Sequence, residues 1–238
     1  MNYWDTLEEQ ARQVQTQTAT QYAQAITLLR DAVSLCAEAT QLKDSQAPSH
    51  AVAVSMSLIS QNLNSLKVCL DMATSGYYMQ CGVLLRHVYE NWLAIQYIRY
   101  FPMEAGEWLN SAWDHRAPSV KKILKAIGPE FGTNQSTVGD SYGLLSKFAH
   151  PNAMSIVPQI DRHDDGTVID TGTLYHHDMF LNMACMVAQH IGFLLVDLAA
   201  FVDSSHPWYL RFHETQRHLV ALIEEHSPVD SAQDDIGA

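Results

Sequence analysis

From Met179 to Val202 the chain is almost wholly apolar, broken by Asn182, Gln189, His190 and Asp197. A stretch of this length either crosses a bilayer or lies at the centre of a helical protein, because a surface helix needs one polar face. Asp197 sits well inside the stretch, and a carboxylate at that depth costs about 2.5–3.5 kcal/mol on insertion scales. The flanks, His176-His177-Asp178 and Asp203-Ser204-Ser205-His206, offer no Lys or Arg to set an orientation. The expectation is a central helix wrapped by others, with no membrane partner.

The rest of the chain supplies the wrapping. Tyr22, Ile26, Leu29, Val33 and Cys36 fall at steps of three and four, one face of a helix. That helix is expected to start within the first ten residues and to run to about Lys43. A second follows Pro48, with Ser49 as its cap and Ile59, Leu63, Leu66 and Leu70 as its stripe, and ends near Gly76. The third, Tyr77 to Phe101, carries apolar residues around nearly its whole circumference and should be buried on most sides; Pro102 ends it. A short helix with Trp108 and Trp113 follows, then one from Pro118 to Ile127 bearing Lys121, Lys122 and Lys125. The next is capped by Asp140 or Ser141 and stopped by Pro151, and the last lies after Pro207.

Between about 155 and 175 the helical pattern breaks. Ile156, Val157 and Ile160 precede Asp164-Asp165-Gly166, and Val168 and Ile169 follow; an Asp-Gly step between β-branched runs is a hairpin signal. The predicted fold is therefore all-α, a multi-helix bundle of six to eight helices with one small β-hairpin insertion. Residues 1–226 are expected to form a single helical domain, with 227–238 a disordered acidic tail. Several helices carry more apolar surface than one shell can cover, which points to a homodimer.

Asp and Glu total 26 against 14 Lys and Arg, a net charge of −12 that repels a phosphate backbone unless a local patch overrides it. Residues 51–150 hold eight basic and seven acidic groups, so such a patch belongs to the middle of the chain. The four cysteines are scattered with no Cys-x-x-Cys pair, which argues against a zinc site or a disulfide framework and suits a reducing cytoplasm. Met1 to Asp5 lack the basic-then-apolar order of a signal peptide, so the expected location is cytoplasmic.

Two constellations could carry chemistry. Arg86 and Glu90 lie four apart on one helical face in an apolar stretch. They either pair and fix packing or face a cleft, where they could hold an anion or move a proton. The second is Ser146-Lys147-Phe148-Ala149-His150-Pro151-Asn152, with His150 in the last turn of its helix, where the dipole favours the imidazolium. Tyr142, Ser146 and His150 form a polar stripe opposite Leu144, Leu145 and Phe148, and Lys147 and Asn152 complete a small polar centre. The alternative is that His150 only caps the last carbonyls. His163, Asp164, Asp165, His176, His177 and Asp178 gather near the hairpin, but without metal-ligand spacing they read as a solvated rim. His190 and Asp197, a heptad apart, read as core polar groups in need of partners. No phosphate loop or nucleophile elbow is present, and neither a metal nor a cofactor is expected.

Leu84-Leu85-Arg86-His87-Val88-Tyr89-Glu90, taken with the later Tyr142, Ser146, Lys147 and His150-Pro151, resembles an uncharacterised bacterial helical family related to the HEPN-like proteins. The likeness covers roughly Pro48 to Gln159. It implies a helical fold, dimerisation and a nucleic-acid- or defence-associated role. Active members of that class cut RNA without a metal, using an Arg and a His in one helix joined across a dimer. His150 matches the histidine; Gly143, Leu144 and Leu145 stand where the arginine belongs. The expectation is therefore an interaction protein with an RNA or protein partner. The alternative is a ribonuclease in which His150 is the acid or base and Arg86 or Lys147 supplies the charge. His150, Arg86 and Glu90 are the catalytic candidates, and Lys147, Ser146, Tyr142 and Asn152 the ligand-binding ones.

Overall fold

The computed structural model describes residues 2–42, 49–110, 118–128, 135–150, 160–163, 166–169, 173 and 175–226; of 108–110, 135–139, 160–163 and 166–169 it describes the backbone alone. The architecture is all-α, and the described residues hold nine helices rather than six to eight. They are α1 (Tyr3–Gln21), α2 (Ala23–Gln41), α3 (His50–Thr74), α4 (Tyr78–Tyr100), α5 (Glu104–Asn110), α6 (Val120–Ile127), α7 (Gln135–Ala149), α8 (His177–Ala199) and α9 (Trp208–His226). Two four-residue strands, β1 (Ile160–His163) and β2 (Gly166–Ile169), pair antiparallel with Ile160 opposite Ile169. Asp164 and Asp165, Trp113, and the tail from Ser227 lie outside the described residues.

The extra helix comes from a break at Tyr22, whose backbone turns to φ −121° and ψ 31° between α1 and α2. Neither Gly nor Pro causes it. The Tyr22 ring stacks on Phe180 of α8 at 4.5 Å, and its hydroxyl meets the His177 ring, so tertiary contact holds the bend. The ladder continues through it, Tyr22 N donating to Thr18 O and Ile26 N to Tyr22 O. Other boundaries follow local chemistry. Asn2 and Asp5 form a capping box on α1, and the Ser49 and Ser119 hydroxyls accept from Val52 N and Lys122 N at the starts of α3 and α6. Gly76, at φ 82°, closes α3 in a conformation other residues resist. The start of α7 falls at Gln135, a turn and a half before the Asp140 cap expected from sequence.

Helix α8 is the centre: α2, α3, α4 and α9 all pack on it. It is also the one described helix long and apolar enough to span a membrane by length and composition. Phe180, Met183, Val187, Ala188, Ile191 and Leu195 are buried along it. Ala184, Ala188 and Gly192 fall at steps of four along it, and the Gly192 carbonyl accepts from Gln216 Nε2 of α9 at 2.8 Å. Trp208 opens α9 buried, stacked on Phe212 and donating its indole N–H to Leu35 O at 2.9 Å. Asn62 of α3 donates to Val88 O and accepts from Asn91, a buried amide pair that fixes α3 against α4.

The burial of α4 is less complete than its composition suggests. From Leu93 to Ile98 every side chain is buried, but Val83 is 46 % exposed and His87 is exposed. Only the C-terminal half of α4 is enclosed by neighbours on all sides, so Arg86 and Glu90 are half-buried rather than sealed in.

Candidate functional site

Helices α4 and α7 meet because α4 has no side chain at one point. A Cβ on Gly82 would lie 2.5 Å from Phe148 Cγ, 2.7 Å from Cδ1 and 2.9 Å from Cβ, all closer than carbon atoms approach. The Phe148 ring therefore occupies the place of that methyl, and Leu145 is buried beside it. Leu144, grouped with them from sequence, faces solvent instead. This contact brings the stripe of α7 over the Arg86–Glu90 face of α4.

The polar centre is a closed triangle with one extension. Arg86 Nε donates to Glu90 Oε1 at 3.0 Å, Arg86 Nη2 donates to the Tyr142 hydroxyl at 2.7 Å, and that hydroxyl donates to Glu90 Oε1 at 3.2 Å. Arg86 Nη1 faces His150 Nε2 at 3.4 Å, a contact in which an unprotonated ring nitrogen accepts. The guanidinium also lies over the Tyr142 ring, 5.1 Å from its centroid. One turn along, the Tyr89 hydroxyl hydrogen-bonds Ser141, a link that sequence reasoning missed, and burial pushes the Tyr89 pKa up.

The centre is accessible as well as tied down. The Arg86 and Glu90 side chains are 23 % and 35 % exposed, and His150 is exposed at the helix end. The Arg86–Glu90 ion pair lies within α4, and at that exposure it adds about 0.3–0.5 kcal/mol. Helix α7 is held to α4 by the Gly82–Phe148 contact together with the Tyr142 bonds to Arg86 and Glu90. Partial burial works against the Arg86 charge, but the bonds to Glu90 and Tyr142 outweigh it and raise its pKa.

Arg86, Glu90, Tyr142 and His150 are thus brought together. Ser146 turns inward to its own helix, donating to Tyr142 O at 2.7 Å. Lys147 is exposed on α7, and Asn152 lies outside the described residues. On α6, which packs against both α4 and α7, Lys121, Lys122 and Lys125 are exposed around the buried Ile123 and Ile127. This basic face was visible in the sequence as lysines alternating with the apolar positions of a short helix.

Of the histidines grouped near the strands, His176 and His177 have structural partners. His176 caps α8, accepting from Met179 N, and His177 meets Tyr22 and Gln21. No three His, Cys, Asp or Glu converge among the described residues. The two core polar groups are half-satisfied. His190 donates from Nδ1 to Met186 O at 2.6 Å, and Asp197 Oδ1 accepts from Gln96 Nε2 at 2.7 Å. His190 Nε2 and Asp197 Oδ2 are buried without a hydrogen-bond partner among the described residues.

Fold and site define an all-α protein with a half-open, charge-balanced polar centre between two helices. Compared with protein-family models, with curated proteins and with solved structures, the chain matches none.

Proposed function

We propose that the chain is a HEPN-like helical interaction protein that works as a cytoplasmic homodimer and engages an anionic partner, RNA first among them, without cleaving it. The observation that carries this reading is the basic face of α6: three exposed lysines beside α4 and α7 in a chain of net charge −12. Clustered lysines with their apolar neighbours buried beneath them make an electrostatic contact surface rather than part of a core. The Arg86–Glu90–Tyr142–His150 centre acts as the clasp that holds α7 next to that face. A transition-state stabiliser needs an uncompensated donor aimed at the developing charge, whereas Arg86 is committed to Glu90, whose carboxylate repels phosphate.

Dimerisation draws support from exposed apolar side chains, among them Met103 and Leu210, 88 % and 77 % exposed. The four cysteines are free thiols, which suits a reducing compartment. One observation favours the ribonuclease alternative: Arg86 and His150, on different helices, lie 3.4 Å apart and could act as a composite pair.

Sedimentation velocity with a fluorescent single-stranded RNA at low salt tests the proposal. The free protein is expected at the mass of two chains, with RNA co-sedimenting and released as salt rises. Replacing Lys121, Lys122 and Lys125 together by Gln should weaken the complex at least about tenfold, since each lost phosphate contact lowers affinity. RNA bound equally by the triple variant would remove the α6 reading, and a monomer mass would remove the dimer.

A further inference from the structure

A cavity of about 220 Å³ opens between α3, α4, α8 and the turn that follows α8. Its walls are mostly apolar, with Val52, Ile95, Ile98, Pro102 and Phe201 among them, and the Ser55 hydroxyl and Asp197 are its polar groups within. Ordinary small-molecule sites run to roughly 300–1,000 Å³, so this one suits a compact ligand.

Asp197 gives the cavity its chemistry. The residue is 5 % exposed, and Gln96 of α4 holds Oδ1 and so fixes the orientation of the carboxylate. Among the described residues Oδ2 has no hydrogen-bond partner. A buried carboxylate oxygen without a donor is costly, and Asp197 is one of the residues that line the cavity. Arg99, exposed and also lining the cavity, attracts the Asp197 carboxylate at longer range, and among the described residues the two form no ion pair.

The ligand class follows from what the walls can and cannot do. One carboxylate and one hydroxyl among alkyl groups cannot replace the hydration of a metal cation, which needs several oxygen or nitrogen ligands. An anion would meet the carboxylate itself. A protonated amine supplies the missing N–H donor and the opposite charge, and an alkyl body on that amine fits the remaining walls. We propose that the cavity between α3, α4 and α8 binds a small organic amine, its ammonium on the Asp197 carboxylate and its apolar body against Ile95, Ile98 and Phe201.

Calorimetric titration of the native protein at neutral pH with cyclohexylamine, and separately with cyclohexanol, tests the assignment. Saturable binding of one amine per chain is expected, at least about tenfold tighter than the alcohol because only the amine makes the charge-assisted bond. Asp197→Asn should remove that preference while retaining the helical circular dichroism of the native protein. Ala200→Phe, which places a ring at a residue lining the cavity, should weaken binding of both probes. If Asp197→Asn does not fold, the amine-to-alcohol ratio and Ala200→Phe decide. No binding by the native protein, equal affinity for amine and alcohol, or undiminished amine binding in Ala200→Phe would each overturn the proposal.

Discussion

Replacing His190 by Leu should make the protein lose stability as the pH rises from about 4 to about 6, over a range where the native chain changes little. The reason is that α8 buries two titratable groups whose pKa values move in opposite senses. Burial carries His190 down from 6.5 to about 4, the bond to Met186 O opposing it only in part. Burial carries Asp197 up from 3.8 to about 6, against the pull of Gln96 and the more distant Arg99. Burial disfavours the charged form of each, so in the fold Asp197 carries its charge only above about 6 and His190 only below about 4.

The signs follow from which state binds more protons. Asp197, with its folded pKa raised, contributes stability that is present below about 3.8 and lost as the pH rises through about 6. His190, with its folded pKa lowered, contributes stability that is present above 6.5 and lost as the pH falls through about 4. At 1.36 kcal/mol per pKa unit each effect is on the order of 3 kcal/mol, and over their shared range the two cancel. His190→Leu leaves the Asp197 slope alone, and Asp197→Asn leaves the His190 slope, which runs the other way. Urea midpoints of the three proteins across that range are the measurement. Parallel pH profiles for both variants would refute the burial of neutral partners in α8.

Gly82→Ala is expected to destabilise the protein by about 1–3 kcal/mol, the usual cost of overpacking. Helix propensity alone argues for the opposite sign, since Ala gains about 1 kcal/mol over Gly in a helix interior. The contact decides between them. The new methyl would meet three carbons of Phe148 within 2.9 Å, and Phe148 is itself buried, so the ring cannot step aside without lifting α7. Lifting α7 also pulls Tyr142 from Arg86, so the variant should lose the polar centre together with stability. A rise in the denaturation midpoint would show that α7 does not rest on α4 at this point.

Most of the helices are legible in the sequence because apolar residues at steps of three and four betray a buried face, as Ile59 to Leu70 do on α3. Boundaries set by local chemistry are legible too: Ser49 caps α3, and α4 ends before Pro102. What tertiary contact decides is not. The bend at Tyr22 depends on a ring of α8, and the Asn62–Asn91 and Gln96–Asp197 bonds join residues 29 and 101 positions apart. The candidate site divides the same way. Steps of four place Arg86 with Glu90, and Tyr142 with Ser146 and His150, each on one helix. That the two stripes face each other rests on Gly82 receiving Phe148, for which a lone helical glycine is the only local sign.

Recognition without cleavage is tested by incubating a labelled single-stranded RNA with the purified native chain and with His150→Ala. The same background RNA loss is expected in both, with the complex still formed. A native cleavage rate clearly above background that disappears in His150→Ala would contradict it and make His150 and Arg86 a catalytic pair.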